Sequence, residues 1–511
     1  MTNNRFVKPI EEEKTVAKGA LVNALGTAGG GLIAVFFILA NRLYDPAVAG
    51  VFSIVFVMIQ VAFNLTVSGF NDGVLMFGAR FVGKSEDDDR FYDVLANGFV
   101  ISIIISVLLI GLSWAGGATY LSMHYEQKGI AESIKLITLS LPFTCFTVVV
   151  ISATKALLTM KWDAILLGFF KPLFLILFSL VFYLLGFALD GLLLSYLLMC
   201  IALAVISFFV FCRYFSVKKL LVHLLRFRFS MPLFKFAIPQ SLNMTFNTFI
   251  ANLDVLMLGY FGTSAEMISF YYMGAQTVRN IRSIKLAFSS SYAPLIARSH
   301  EEGSVEKIKE TFSTVTRWTT TLALPTALVF ALLRDDILIL FHDSFVYDSS
   351  FMLILLVPPL LSCTVGLAGN IVVMTGHSGW NLFNSLLIAG VNALLNYILI
   401  PDYGLIGAAA ATAIASLLVS ILSLLELKFL LNVNLVLKKI YKPYLAILLP
   451  LALVSVCSFY GFCEGLVIRI ALSLLSTGVF IAILLLLKME EIDKQTFFSR
   501  FTKKRKCNAS G

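Results

Sequence analysis

Residues 163–212 read DAILLGFFKPLFLILFSLVFYLLGFALDGLLLSYLLMCIALAVISFFVFC. Two apolar runs, 163–186 and 190–212, are separated only by Phe187-Ala-Leu. At about 1.5 Å per residue, each is long enough to cross a hydrocarbon core of about 30 Å as a helix. The apolar residues are continuous, whereas a barrel strand would alternate over about ten residues. Backbone groups in lipid must find partners within the protein, so helices are the remaining way across. The rest of the chain has the same character. Of its 511 residues, 59% are hydrophobic and 14% charged, with a mean hydropathy of +0.90, which excludes a water-soluble multidomain protein. One spanning helix with its share of loop takes roughly 35 residues, which leaves room for about fourteen.

Breaks at charges, Gly and Pro place these spans at 19–40, 48–70, 94–118, 134–156, 163–186, 190–212, 233–258, 267–293, 312–333, 350–374, 381–400, 404–429, 441–460 and 466–487. The division that follows is a tail at 1–18, an N-lobe of helices 1–6 at 19–212, a linker at 213–232, a C-lobe of helices 7–12 at 233–429, helices 13–14 at 441–487 and a basic tail at 488–511. The N-terminus is hydrophilic through Lys18 and has no small-residue cleavage site after its first apolar run, so that run reads as a retained anchor. Cations fall on one side of the membrane: Lys8, Lys14 and Lys18; Arg80, Lys84 and Arg90; Arg213, Lys218, Lys219, Arg226 and Arg228; Arg298, Lys307 and Lys309; Lys438, Lys439 and Lys442; and Lys503 to Lys506. The opposite loops hold little beyond Arg42, Lys128 and Arg334. The expected location is the cell inner membrane, and this asymmetry predicts a multi-pass protein with both termini cytoplasmic. It also explains the net charge of +9 through anionic lipids, without nucleic acid. The seven cysteines (Cys145, Cys200, Cys212, Cys363, Cys457, Cys463 and Cys507) are scattered, with no metal-ligand spacing, and read as small hydrophobes.

An internal repeat organises the spans. Tyr44 to Met58 resembles Phe261 to Gly274, Arg80 and Arg298 lie 218 positions apart, and Thr159–Thr375 and Gly191–Gly407 are each offset by 216. Six helices return the chain to its starting side, so the halves would be two parallel six-helix lobes around a central cavity, with two extra C-terminal helices. The expected fold class is thus all-α integral membrane with about fourteen transmembrane helices.

Several polar positions stand out against this background. Gly78 to Ser85 satisfies the phosphate-loop pattern G-x-x-x-x-G-K-[ST], but it follows a membrane span and runs into Glu86-Asp87-Asp88-Asp89, whereas a nucleotide site needs a strand before the loop and a soluble sheet around it. Arg279, Arg282 and Lys285 are spaced three apart in helix 8. On an unbroken helix they would occupy an arc of about 120° and rise about 9 Å. Facing lipid at the bilayer centre, they would cost roughly 8 to 10 kcal/mol together on insertion scales. They must therefore line a wet cavity, meet anions, or snorkel from a half-immersed helix. A guanidinium ladder suits phosphate or pyrophosphate. Helix 7 is polar in a matching way, with Gln240, Asn243, Thr245, Asn247, Asn252 and Asp254. Asp254 is a candidate to pair with a helix 8 arginine or to carry a coupling proton or sodium ion, and a structural hydrogen bond would explain it as well. Lys155, Lys171 and Arg317 are further candidates to hold an anionic substrate, again with snorkelling as the alternative. In helix 1, Asn23, Gly26, Gly29, Gly30 and Gly31 permit close packing or a hinge.

The segment Met374-Thr375-Gly376, then Asn392, Asn396-Tyr-Ile-Leu-Ile-Pro401-Asp402-Tyr403-Gly404-Leu-Ile-Gly407-Ala408-Ala409-Ala-Ala411-Thr412, resembles the helix 11 to helix 12 signature of Wzx-type polysaccharide flippases. These belong to the MOP superfamily with the MATE exporters and lipid II flippases. The likeness extends to helix 7 and its turn, from Pro239 through Asp254 to Tyr272, and to helices 1 and 2. It implies a transporter of two six-helix lobes that alternates access and moves a polyprenyl-pyrophosphate-linked oligosaccharide between leaflets, with no bond chemistry and no cofactor beyond a coupling H+ or Na+. Partners implied are the lipid-linked oligosaccharide, anionic lipids, and a polysaccharide polymerase or other assembly proteins. The substrate residues would be Arg279, Arg282, Lys285, Asn247, Lys155, Lys171 and Arg317, with Asp254 for ion coupling. A MATE-like exporter of organic cations shares the fold but would want carboxylates where helix 8 is positive. A lipid II flippase is similar, though its first helix carries arginines and the first span here holds none. A membrane glycan polymerase or ligase would present a large outer loop, and no loop here exceeds about 25 residues.

Overall fold

Asp45 separates the first two helices described. Its carboxylate accepts the Ala47 N–H at 2.7 Å, and its φ of 93° turns the chain into Pro46, which takes the first helical turn where its missing N–H is not needed. The structure is a computed structural model that describes residues 31–81, 88–127, 129–157, 159, 161–365, 367–375, 378–433, 437–462 and 465–487. Among them there are only helices, turns and bends. In order these are α1 (Gly31–Tyr44), α2 (Pro46–Phe81), α3 (Asp89–Ser122), α4 (Ile130–Ala156), α5 (Lys161–Leu184), α6 (Leu189–Tyr214), α7 (Val217–Leu225) and α8 (Met231–Tyr260). They continue as α9 (Ala265–Arg279), α10 (Arg282–Glu301), α11 (Val305–Leu332), α12 (Arg334–Phe341), α13 (Ser350–Thr364) and α14 (Leu367–Met374). The last three are α15 (Ser378–Leu431), α16 (Leu437–Phe459) and α17 (Leu466–Leu486).

Among the described residues, eight helices (α2 to α6 and α15 to α17) are long and apolar enough to cross a membrane. The all-helical membrane architecture expected from the sequence is therefore present. The expected spans over α8, the α9–α10 stretch and α11 are the ones whose polar residues lower their hydropathy, and they carry most of the site candidates.

Two expected span boundaries differ in the structure. The single span drawn over 267–293 is broken. Asn280 and Ile281 donate to Thr277 and Val278, and Ser283 and Ile284 to Asn280 and Ile281, so i→i−3 bonds form a tight turn between α9 and α10. Arg279 closes one helix and Arg282 opens the next, and the arc and rise of an unbroken helix do not carry across. Conversely, the spans at 381–400 and 404–429 run together as α15, broken only at Gly404 with φ 53° and ψ −125°. A side chain is strained in that backbone. At Gly407 a Cβ would lie 2.3 Å from the Leu399 carbonyl oxygen. The Pro401-Asp-Tyr-Gly404-x-x-Gly407 stretch thus makes a sharp corner whose glycines are required, Gly404 by its backbone angles and Gly407 by the close backbone.

The described helices group into two units by packing. The first holds the chain to Met273 together with Ile339–Phe345 and Ala389–Ala408. Its core joins Val67, Phe70 and Val74 of α2 with Leu95 and Phe99 of α3, Val149 and Ala153 of α4, Phe211 of α6, Leu220 of α7, and Leu233 and Ala237 of α8. The second unit comprises Gly274–Leu338, Val346–Ile388 and the chain from Ala409. Its core joins Ile296 of α10, Ile308 and Phe312 of α11, Leu367 and Ile371 of α14, and Leu427 of α15. In a bilayer, apolar surface gains little by leaving lipid for protein, so close backbone approach and hydrogen bonds decide packing. In the first unit a Cβ at Gly50 would sit 1.8 Å from the Ala265 carbonyl oxygen, and one at Gly69 equally close to that of Ala237. Two of the cations expected in outer loops are engaged with protein, and the third, Lys128, lies outside the described residues. Arg42 reaches the carbonyls of Leu340 and Ile339 and the Asp343 carboxylate at 3.0 Å, and Arg334 Nε donates to Ser349 Oγ at 2.9 Å.

Candidate functional site

In the first unit, the polar face of α8 divides into a packing part and an open part. α2 contains a π-helical turn at Asn64–Ser68, a widened turn of the kind that re-aims side chains and backbone groups. Next to it, Asn64 Nδ2 donates to Thr248 Oγ1 at 2.6 Å, Gly69 N–H to Ser241 Oγ at 2.9 Å, and Gln240 Nε2 to Asp72 Oδ2 at 3.1 Å. These bonds stitch α8 to α2. Asn247 is exposed, and its Nδ2 donates to Asn243 Oδ1 of the preceding turn at 3.2 Å. It remains open to a ligand.

Asp254 is 4% exposed. The Tyr271 hydroxyl of α9 donates to its Oδ2 at 2.6 Å, and the Val255 N–H to its Oδ1 at 3.0 Å. Two donors compensate the desolvation of a buried carboxylate. The bond joins α8 to α9 across their short turn, the structural role that the sequence left open beside ion coupling.

Lys155 and Lys171, both candidates for an anionic substrate, lie in different surroundings. Lys155 Nζ is 2.9 Å from Asp163 Oδ2, with both side chains partly exposed. Its charge is therefore already compensated at the start of α5. Lys171 follows the π-helical turn Ala164–Phe170 and is half-buried beside Cys200 of α6.

The second unit contains the remaining cations. Arg279, Arg282 and Lys285 are half-buried around the α9–α10 turn, with Nε and Nη2 of Arg279 and Nε of Arg282 sealed from solvent. Cys363 of α13 covers the turn, its Sγ 3.6 Å from the Ile281 carbonyl oxygen. Arg317 of α11 is 3% exposed, so it does not snorkel to an open surface. Thr316, Thr319 and Thr320 on the same helix are fully buried.

Sequence reasoning missed two polar contacts in this unit. Glu426 in α15 accepts from Asn384 Nδ2 with both carboxylate oxygens, at 2.9 and 3.0 Å. A lone Glu in the apolar run Leu424-Leu-Glu426-Leu could have signalled it. Arg469 of α17 pairs with Asp336 of α12 at 3.0 Å, which a sequence separation of more than a hundred residues conceals. The phosphate-loop pattern begins in the last turn of a helix, with Gly78, Ala79 and Arg80 in α2 and the Arg80 guanidinium over the Phe77 ring at 5.0 Å. No strand precedes it, so the context for nucleotide binding is missing. Its remainder at 82–87, the helix 1 positions Asn23, Gly26, Gly29 and Gly30, and the tails lie outside the described residues, as does the side chain of Arg298. Among the described residues no group of His, Cys, Asp and Glu is arranged to hold a metal ion.

Comparison with known proteins agrees with this architecture. A solved structure of the lipid II flippase MurJ in an inward closed conformation superposes with a TM-score of 0.70 at 14% identity, covering 91% of this chain and 98% of its own. An inward-facing multidrug resistance MATE family transporter of the MOP superfamily gives 0.63 at 14% identity, over 79% of this chain and 94% of its own. A MATE protein in complex with MaD3S gives 0.56 at 15% identity, over 82% and 96%. At these identities the likeness establishes a shared fold. No curated protein matches the chain. The family model for "Polysaccharide biosynthesis protein" matches residues 38–345, more than half of the chain, and the protein accordingly belongs to that family.

Proposed function

We propose that the protein moves a polyprenyl-pyrophosphate-linked oligosaccharide from the cytoplasmic to the outer leaflet of the cell inner membrane by alternating access, in support of cell-surface polysaccharide biosynthesis. The observation that carries this reading is that Arg279, Arg282, Lys285 and Arg317 all lie in helices of the second unit and are half-buried or buried. Guanidinium groups bind pyrophosphate oxygens in pairs, which suits the headgroup of a polyprenyl-pyrophosphate cargo. Asn247 offers amide hydrogen bonds to glycan hydroxyls, Lys171 adds a cation, and Asp254 is the coupling group for H+ or Na+. The step is translocation, with no bond made or broken and no cofactor required. Polysaccharide polymerase and other assembly proteins would receive the product on the outer side.

The likeness to a lipid II flippase favours one second reading, a peptidoglycan precursor as cargo. It uses the same pyrophosphate chemistry and differs in the glycan.

The test is replacement of Arg279, Arg282 and Lys285 one at a time by Ala and by Glu, with protein level controlled. Expected is loss of surface polysaccharide with lipid-linked oligosaccharide accumulating inside the cell. Unchanged export in all three would remove the anion-binding role. Arrest of peptidoglycan synthesis with surface polysaccharide intact would instead select the second reading.

A further inference from the structure

Between the end of α6 at Tyr214 and the start of α8 at Met231 lies α7, a helix with two functional faces. Its inner face is occupied. Leu220 is 8% exposed within the core of the first unit, with Val217 and Leu224 packed beside it. His223 Nδ1 lies 2.7 Å from Asp93 Oδ1 of α3, and its ring stacks on Tyr92. The Tyr92 hydroxyl accepts the Ser216 N–H at 2.8 Å, and the Asn97 amide bridges the Arg228 carbonyl and the Ser230 N–H at 2.7 and 2.9 Å. The helix is therefore held on α3 at its start, middle and exit.

The outer face carries Leu221, Val222 and Leu225, the last 87% exposed, interleaved with Lys218, Lys219 and Arg226. At 100° per residue these six fall within one half of the helix surface. Phe227 and Phe229 continue the exposed apolar surface toward α8. Alternating large apolar and cationic residues on a single outward face belong to a helix lying in the plane of the lipid headgroups. Beside it is a cavity of about 340 Å³ lined by Lys218, Lys219, Arg226 and Arg228 against the carboxylates of Asp89 and Asp93. Both carboxylates are turned toward His223, Asp89 at 3.6 Å from its Nε2. Among the described residues, Lys218, Arg226 and Arg228 make no ion pair, so the cavity retains a cationic surplus.

We propose that α7 and this cavity form a binding site for the phosphate of an anionic glycerophospholipid in the surrounding leaflet, with Leu221, Val222 and Leu225 entering the interface beside it. The assignment of this loop to the cytoplasmic side rests on the orientation used in the proposed function, but the site uses none of the residues assigned to the cargo. Soluble phosphates share the headgroup's chemistry, and the apolar outer face selects the lipid.

The full-length protein in phosphatidylcholine nanodiscs, with and without phosphatidylglycerol, is compared by hydrogen–deuterium exchange over residues 216–228. Expected is exchange about tenfold slower with phosphatidylglycerol, because the surface cations are drawn to anionic headgroups. The triple variant Lys218→Ala, Arg226→Ala, Arg228→Ala should lose that slowing while α8 exchanges as before. Equal exchange in the two lipids overturns the proposal. So does full slowing by inorganic pyrophosphate in phosphatidylcholine alone, which would make the site one for a soluble anion. Glycan export is not the readout, so failure here leaves the translocation reading standing.

Discussion

The seam between α2 and α8 in the first unit and the α9–α11 stretch in the second both place polar groups in membrane helices, and they do it in opposite ways. In the seam every group named is neutral or singly charged and bonded to the facing helix: Asn64 to Thr248, Gly69 N–H to Ser241, Gln240 to Asp72. The helices approach so closely that Gly69 leaves no space for a methyl group. In the α9–α11 stretch Arg279, Arg282 and Lys285 flank a helix break and Arg317 sits within α11, 3% exposed. Polar groups bonded across helices hold a membrane protein together, whereas guanidinium and ammonium groups bring positive charge with which an anionic headgroup can pair. The first arrangement serves a scaffold, and the second is the one the proposed function assigns to an anionic cargo.

That contrast breaks most severely at Gly69. Gly69→Ala puts a Cβ against the backbone oxygen of Ala237, which cannot rotate away as a side chain would. Overpacking costs about 1–3 kcal/mol when side chains can adjust, and here the two helices must part, losing the Ser241 and Thr248 bonds as well. Expected is a large fall in the thermal unfolding midpoint of the detergent-purified protein, with little folded material recovered. A midpoint within a degree or two of wild type would mean that the seam is loose and that the contrast with the second unit is false.

Arg317 tests the other side. Arg317→Gln keeps hydrogen-bonding capacity and removes the charge. If the cation serves a transient anion, export of surface polysaccharide falls about tenfold, the equivalent of one lost charge-assisted bond of roughly 1.5 kcal/mol, while the unfolding midpoint is unchanged or rises. A drop in midpoint matching the drop in export would make Arg317 a structural cation and shrink the candidate site to the α9–α10 turn.

The sequence makes some of this contrast legible. Continuous apolar runs disclose the helices because hydrophobicity must persist for the full membrane thickness. The corner at Pro401 to Gly407 was legible because its glycines are required by backbone geometry. The break at Asn280–Ile281 was hidden, since neither residue is a helix breaker of the order of Gly or Pro. At the turn Cys363 of α13 lies over the Ile281 carbonyl, a tertiary contact that the sequence does not disclose. Site residues divide the same way. The presence of cations in helix 8 and at Arg317 shows in the sequence because charge in an apolar run is costly wherever it points. Their partners do not show: Tyr271 for Asp254, Asp163 for Lys155 and Asn384 for Glu426 follow from which faces the folded helices turn toward each other.

Lys155 gives the smallest effect and the finest test of the comparison. Its side chain is 29% exposed and that of its partner Asp163 39% exposed, with Nζ and Oδ2 2.9 Å apart. Exposed pairs contribute about 0–1 kcal/mol because solvent screens the attraction and ordering two side chains opposes it. Lys155→Met and Asp163→Asn should each leave export near wild type, and the double-mutant cycle in unfolding free energy should give a coupling below about 1 kcal/mol. A paired lysine has no surplus charge to offer a pyrophosphate, so its silence would separate cations that hold the protein from cations that hold the cargo. If instead Lys155→Met abolishes export while Asp163→Asn enhances it, Asp163 is a competitor that the anion displaces. The first unit would then carry its own half of the anion site, and an ion pair could no longer be taken as a sign of a purely structural cation.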